Sequence, residues 1–296
     1  MRYFDPHSMS IFIAVCEEKS IVAAAKRAAL VPSAVSKRIK ALEDQVGVQL
    51  LDRGRLRMTP TPAGEMLLRY ARETLSSMEK THAELNEFSH GLQGNIKVLA
   101  SISAIYQSFP ESIAEFLSLH SRVKVSVHEA LSSQIVRDTK EGLADIGILS
   151  DAVDTKGLAC YPYHKDELAV VSEAEHPLRQ AQAVSFEEVL GNEFVNIKPG
   201  GIVNLIMQKE AAALGRNLQY RIQVSTMDVA CRIVAAGLAV AIMPLQFARL
   251  QQSYLPINVT PLTDEWAQRT LVLCSRHDQV LNNSVQTLLD FLREKR

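Results

Sequence analysis

The stretch Ser20-Ile-Val-Ala-Ala-Ala-Lys-Arg-Ala-Ala-Leu-Val-Pro-Ser-Ala-Val-Ser-Lys-Arg-Ile-Lys-Ala-Leu-Glu43 decides how the start of this chain folds. Ser20 can cap a short helix, Ile21 to Ala28, and the run Ala23-Ala24-Ala25 is small enough for another helix to come close. Leu30-Val31 reads as a turn. Pro32 then sits at the first position of a third helix, where its missing N–H has no intrahelical partner to lose. In that helix Val35, Ile39, Leu42 and Val46 fall at i, i+4, i+7 and i+11, one apolar stripe. The opposite face carries Ser33, Ser36, Lys37 and Lys40, with Arg38 beside them, and no carboxylate precedes Glu43. Hydroxyls and cations without a nearby acid suit the base edges and phosphates of a DNA major groove. Gly47 ends the helix.

The pattern extends on both sides. Asp5-Pro6 combines a side-chain cap with a first-turn proline, so a first helix starts there, with Met9, Phe12, Ile13 and Cys16 on one face. Downstream, Gln49 to Met58 reads as two short extended pieces around Gly54, a hairpin wing. Arg53, Arg55 and Arg57 alternate and so share a strand face, a row able to grip phosphate or enter a minor groove. These features predict an N-terminal all-α winged helix-turn-helix over residues 1–60 that binds double-stranded DNA. Charge agrees. Up to residue 70, eleven Lys and Arg face seven Asp and Glu, so the head carries +4 and the rest of the chain −5, within a net −1. A basic head on an acidic body is expected when only the head meets a polyanion.

The quoted stretch resembles the signature of LysR-type transcriptional regulators, as do Val46-Gly-Val-Gln-Leu-Leu-Asp-Arg53 and Thr61-Pro-Ala-Gly64. The resemblance implies a dimer or tetramer that binds imperfect inverted repeats, with RNA polymerase as a further candidate partner. The chain departs from the family pattern at Val31-Pro32, where a hydroxyl residue followed by Gln or Pro is usual, and at Leu51 and Pro60, where Phe and Leu are usual. Loss of a polar group at 31–32 removes the usual base contacts there, and Ser33 is placed to compensate.

Thr61-Pro62 repeats the cap-plus-proline start. From Leu67 the residues Leu67, Ala71, Thr74, Met78, Thr81, Leu85 and Phe88 step by 4, 3, 4, 3, 4, 3. That is a thin heptad seam for pairing two copies of a helix over 61–90, and Gly91 and Gly94 mark its end. Residues 91–296 alternate strands and helices. The strands Ile96–Ala100, Val123–Val127 and Asp145–Leu149 come first, then Leu168–Val171, Phe194–Ile197, Tyr220–Val224, Ala239–Met243 and Thr270–Cys274; the helix Val280–Arg293 is last. This order implies a mainly parallel sheet. The resemblance makes it a C-terminal α/β two-lobed effector domain resembling periplasmic binding proteins. Lobe I would hold about 91–161 and 269–296, and lobe II about 162–268, with crossings near Tyr161-Pro162 and Gln268-Arg269.

Ligands in such sheets sit beyond the carboxyl ends of strands. There the chain places Ser101 and Ser103, then Ser132 and Ser133, then Ser150, then Lys198 with Gly200 and Gly201, then Thr226. Hydroxyls, open helix N-termini and one cation predict a small anion, such as an organic acid, as the effector. The match to the family's cleft is best for Ser101, Ser103 and Ser150.

No Walker loop, GxGxxG, HExxH or CxxC occurs, and the eight histidines are dispersed, so no enzyme, cofactor or metal is expected. Residues 1–10 are mixed and polar, without a signal-peptide core, and no run reaches a membrane span, so a cytoplasmic location is expected. Cys16, Cys160, Cys231 and Cys274 are far apart and read as partly buried thiols. The alternative is a redox-sensing regulator of the same architecture, which requires two of them to be close in space and one exposed.

Overall fold

The computed structural model describes residues 4–53, 58–90, 92–277 and 281–295, with the side chains of residues 53, 79–80, 83–84 and 86–90 outside that set. The chain divides into two compact units, one built on residues up to Gln93 together with Glu141–Leu143 and one on the remainder from Gly94 onward.

The first unit opens with α1 (Pro6–Glu18), α2 (Ile21–Arg27) and α3 (Pro32–Val46). Each start has a local cause. The Asp5 carboxylate accepts from the His7 and Ser8 N–H groups, and Ser20 Oγ accepts from Ala23 N–H at 3.3 Å. Gly47, at φ 75°, closes α3. Ala29 takes a left-handed φ of 52° so that Leu30 N–H can bond the Ala25 carbonyl at 2.9 Å and turn the chain from α2 toward α3. Val35, Ile39 and Leu42 are buried against Phe12, Val15, Ala24 and Ala25, while Val46 is partly buried at the edge of this core. The strands β1 (Leu51–Arg53) and β2 (Met58–Pro60) pair antiparallel as the stem of the wing. Arg55 and Arg57 and the side chain of Arg53 lie outside the described residues.

The long α4 (Pro62–His90) begins where Thr61 Oγ accepts from Gly64 N–H at 3.1 Å and donates to the Gln49 carbonyl at 2.8 Å. The heptad seam divides along this helix. Leu67 and Ala71 are buried, Leu67 within the core of its own unit, because the first turns of α4 pack on α1. Met78 and Leu85 are 50% and 63% exposed, and Thr74 and Thr81 turn their hydroxyls back onto the Tyr70 and Ser77 carbonyls. The portion free to pair with a second copy therefore starts beyond Ala71. Phe88 falls outside the described side chains.

In the second unit, β3 (Gly94–Ala100) is followed by α5 (Ile102–Ile105) and α6 (Phe109–Leu119), then β4 (Val123–Glu129), α7 (Ser132–Lys140) and β5 (Ile146–Ser150). Strand β3 pairs parallel with both β4 and β5. The sixteen-residue β6 (Leu158–Glu173) leaves this lobe. The second lobe contains α8 (Phe186–Val189), β7 (Glu193–Ile197), α9 (Ile202–Ala213), β8 (Gln219–Val224), α10 (Met227–Ala235), β9 (Ala241–Pro244), α11 (Leu245–Gln252) and β10 (Ile257–Pro261). Strand β11 (Gln268–Arg276) returns, and α12 (Asn283–Glu294), capped by Asn282, closes the first lobe.

Two expectations change here. The sheet is mixed rather than mainly parallel: β6 pairs antiparallel with β9, β10 and β11, and β11 pairs antiparallel with β5. The reason is topological. One strand must leave the first lobe and another must come back, so the two crossing strands run in opposite senses. The outward crossing also lies later than Tyr161-Pro162. Strand β6 stays opposite β11 as far as Glu167 and joins β9 and β10 only from Leu168. The sequence pattern showed only the wholly buried Leu168–Val171 as strand, because the half-buried segment before it lacks a clean alternation. Strand β10 was not anticipated.

Candidate functional site

On the first unit, burial of Val35, Ile39 and Leu42 rotates the opposite face of α3 toward solvent. Ser33, Lys37 and Lys40 are exposed, and Ser36 and Arg38 are half-buried. Among the described residues Lys37 and Lys40 make no ion pair. Arg38 is drawn off this face, with its guanidinium 3.3 Å from both the Asp5 carboxylate and Ser8 Oγ. Glu43, the first acid of α3, is also turned away, because its Oε1 accepts from Leu50 N–H at 2.9 Å and Leu51 N–H at 3.3 Å at the start of the wing. The exposed face is therefore cationic and hydroxylated. Val31 occupies the N-cap of α3 without a side-chain cap and is 63% exposed.

On the second unit, the strand-end residues converge on a cavity of about 90 Å³ between the lobes, lined by Ser101, Ser103, Ser132 and Ser150 from one side and Lys198 and Gly201 from the other. Local structure explains several of these positions. Ser101 N–H donates to the Ile148 carbonyl at 2.7 Å, tying the end of β3 to β5. Ser132 begins α7, and Gly201 is the N-cap of α9 with no side chain to occupy the first-turn N–H groups of Ile202 and Val203. Lys198, at φ 46°, and Gly200, at φ 81°, make the turn that brings this N-terminus to the cavity. Three anticipated residues do not line it. Ser133 is one step round α7 from Ser132 and exposed, Gly200 serves only the turn, and the exposed Thr226 side chain is engaged by Asp228 at the start of α10.

The sequence pattern did not single out Arg269, Glu129 and Asn204, which also line the cavity, or Asp166, the partner of Arg269 outside that lining. Arg269 and Asp166 form an ion pair with side chains 4% and 2% exposed. Arg269 Nη2 also donates to Ser103 Oγ at 3.3 Å, and the Ser103 hydroxyl in turn bonds Asp166. Burial lifts the Asp166 carboxyl above its ordinary range, against the pull of Arg269. Lys198 is not a free cation: it pairs with Glu129 at the end of β4, so the two lobes are joined across the cleft mouth. Asn204 is buried in the first turn of α9, held by Asn196 and by Tyr220 at 2.8 Å. Glu129 ends a strand as the serines do and could have been found by the same reasoning; Arg269 and Asp166 gave no signal beyond their place on the crossing strands. Two buried polar atoms here have no partner in the protein, Ser101 Oγ and Arg269 Nε. Open helix N-termini, unpartnered donors and cations held by carboxylates give this cavity hydrogen-bond donors that an acceptor-rich group can use.

Among known proteins, the model described as bacterial regulatory helix-turn-helix protein, lysR family, matches residues 6–65, and that described as LysR substrate binding domain matches residues 89–296. The chain is similar to the uncharacterized HTH-type transcriptional regulator YbhD of Escherichia coli (strain K12), at 25% identity over 96% of this chain and 90% of that protein. It is also similar to the probable HTH-type transcriptional regulator LrrA of Synechococcus elongatus, at 31% identity over 80% of this chain and 79% of that protein. The crystal structure of full-length CbnR complexed with its target DNA matches with a TM-score of 0.70 at 19% identity, covering 99% of this chain and 100% of that one.

Proposed function

Since the chain belongs to the LysR family of bacterial DNA-binding transcriptional regulators, which carry an effector-binding body, we propose that its activity is set by a small organic anion bound between the two lobes. The observation that carries this reading is the buried Ser101 hydroxyl, left without a partner at the wall of the cavity. An unsatisfied buried polar group costs about 1–3 kcal/mol, and an incoming acceptor removes that penalty. The free N–H groups of α9 and the Lys198 ammonium, once released from Glu129, complete an anion site. Size agrees: a cavity of about 90 Å³ suits a compact carboxylic acid.

The head would place α3 in a major groove, with Ser33, Ser36, Lys37 and Lys40 toward bases and phosphates. The exposed Val31 offers a methyl surface suited to thymine. CbnR was solved with its target DNA, and the same mode of binding is proposed here. Self-association through α4, contact with RNA polymerase and a cytoplasmic location complete the proposal; no helix among the described residues is long and apolar enough to cross a membrane.

The test is a thermal-shift series of small mono- and dicarboxylic acids on the full chain, since a ligand of the folded state raises its melting temperature. Ser101→Ala should weaken the best acid about tenfold, roughly 1.4 kcal/mol, and leave effector-free DNA affinity unchanged. Equal binding by the variant would remove Ser101 from the site. DNA affinity should fall with salt at a log–log slope near −5 if about six phosphates are neutralised, and Lys37→Ala or Lys40→Ala should each reduce that slope by about 1.

A further inference from the structure

Cys160 on β6 and Cys274 on β11 are direct register partners across the antiparallel pair that joins the lobes. Opposed residues on antiparallel strands share a face with Cα atoms roughly 4.5–5.5 Å apart, inside the roughly 4.4–6.8 Å that a disulfide spans. The two thiols are hydrogen-bonded to each other, and Thr155 also bonds the Cys160 sulfur. Cys274 is fully buried and Cys160 only half-buried, so a reagent reaches the pair from the Cys160 side. Lys140, at the end of α7, adds positive charge near Cys160. We propose that Cys160 and Cys274 are a dithiol site oxidised by hydroperoxides, with Cys160 attacking and Cys274 resolving to a disulfide that staples the two crossing strands.

The chemistry balances. The Cys160 thiolate attacks the terminal peroxide oxygen, the O–O bond breaks, and the departing alkoxide or hydroxide takes a proton, leaving Cys160 as a sulfenic acid. The Cys274 sulfur then attacks the Cys160 sulfur; the S–S bond forms, the S–O bond breaks, and hydroxide leaves with the Cys274 proton as water. Two thiols are oxidised and one peroxide is reduced to an alcohol, or to water from hydrogen peroxide, with a further water released.

Electrostatics assign the same order. Cys160 is drawn down to about 6, first by the hydrogen bond from Cys274 and further by Thr155 and Lys140, against its burial. Cys274 is pushed upward by holding the proton of that bond and by burial. Of the two thiols, Cys160 is therefore the one that ionises first and is the nucleophile. Cys16 and Cys231 are internal controls, because burial pushes both up to about 12.

The inference is independent of the effector proposed above. The experiment treats the full chain with a slight excess of hydrogen peroxide, blocks free thiols, and maps them by mass spectrometry. A Cys160–Cys274 disulfide, a loss of two hydrogens reversed by dithiothreitol, is expected, with Cys16 and Cys231 blocked only after unfolding. Cys274→Ala should leave a sulfenic acid at Cys160 that a cyclic 1,3-dione captures. In case that variant does not fold, the native chain supplies a second readout: alkylation of Cys160 by iodoacetamide should rise with a midpoint near pH 6. Four alkylatable thiols after peroxide, or a Cys160 midpoint above about 8, would overturn the proposal.

Discussion

Replacing Arg269 by Met would test whether the pair at the wall of the cleft is a dehydrated ion pair. The substitution keeps an unbranched apolar stem and removes the guanidinium with its charge and donors, leaving a packing loss that is the same at every pH. Asp166, 2% exposed, then has no cation beside it. Breaking a buried pair by removing one partner costs about 3–5 kcal/mol. For a unit of roughly 200 residues, at about 2–4 °C per kcal/mol, this lowers the melting temperature by about 6–20 °C at neutral pH. The loss should depend on pH in a definite direction. Burial already raises the Asp166 carboxyl above 3.8, and loss of Arg269 removes the main opposing pull. A carboxyl with a raised folded-state pKa contributes stability that is full below its unfolded value and disappears as pH rises toward the folded value. The variant should therefore come closer to the native chain as pH falls toward 5 and drop further behind it as pH rises toward 7.5. Calorimetric melts at both pH values measure the difference. A loss of equal size at pH 5 and pH 7.5 would refute the electrostatic account and leave Arg269 as a packing residue.

Three further outcomes are expected. Gly64→Ala should destabilise the head by about 1–3 kcal/mol or more, because its Cβ would lie 2.0 Å from the Leu50 carbonyl oxygen, a backbone atom; a denaturant melt that matches the native chain would show that α4 can shift. Ala29→Gly should stabilise the same unit by about 1 kcal/mol, since Ala29 holds φ 52°, and an unchanged or lowered midpoint would count against strain there. Met78→Asp with Leu85→Asp should weaken self-association in sedimentation without lowering the melting temperature of the head, because both side chains are exposed; undiminished association would place the interface elsewhere.

The helix-turn-helix was legible because its determinants are local. Caps at Asp5 and Ser20, prolines at the first helical turns, and the Val35–Ile39–Leu42 stripe all act within a few residues, and the fold follows each of them. The strand-end rule located the cleft for a related reason. A parallel βαβ unit always delivers the carboxyl end of its strand to the same edge, and so Ser101, Ser103, Ser132 and Ser150 meet there. Tertiary structure decided whatever depends on pairing between distant segments. The register of β6 against β11 faces residues 158–167 with residues 268–276, and no local pattern encodes that alignment. It brings Cys160 to Cys274 and Asp166 to Arg269, and closure of the lobes brings Glu129 to Lys198. The sequence by itself thus determined the family, the head and the sheet edge that lines the cavity. Only the folded chain decided which charges are neutralised and which thiols face each other, because these depend on strand register and lobe closure, which join residues far apart in the chain.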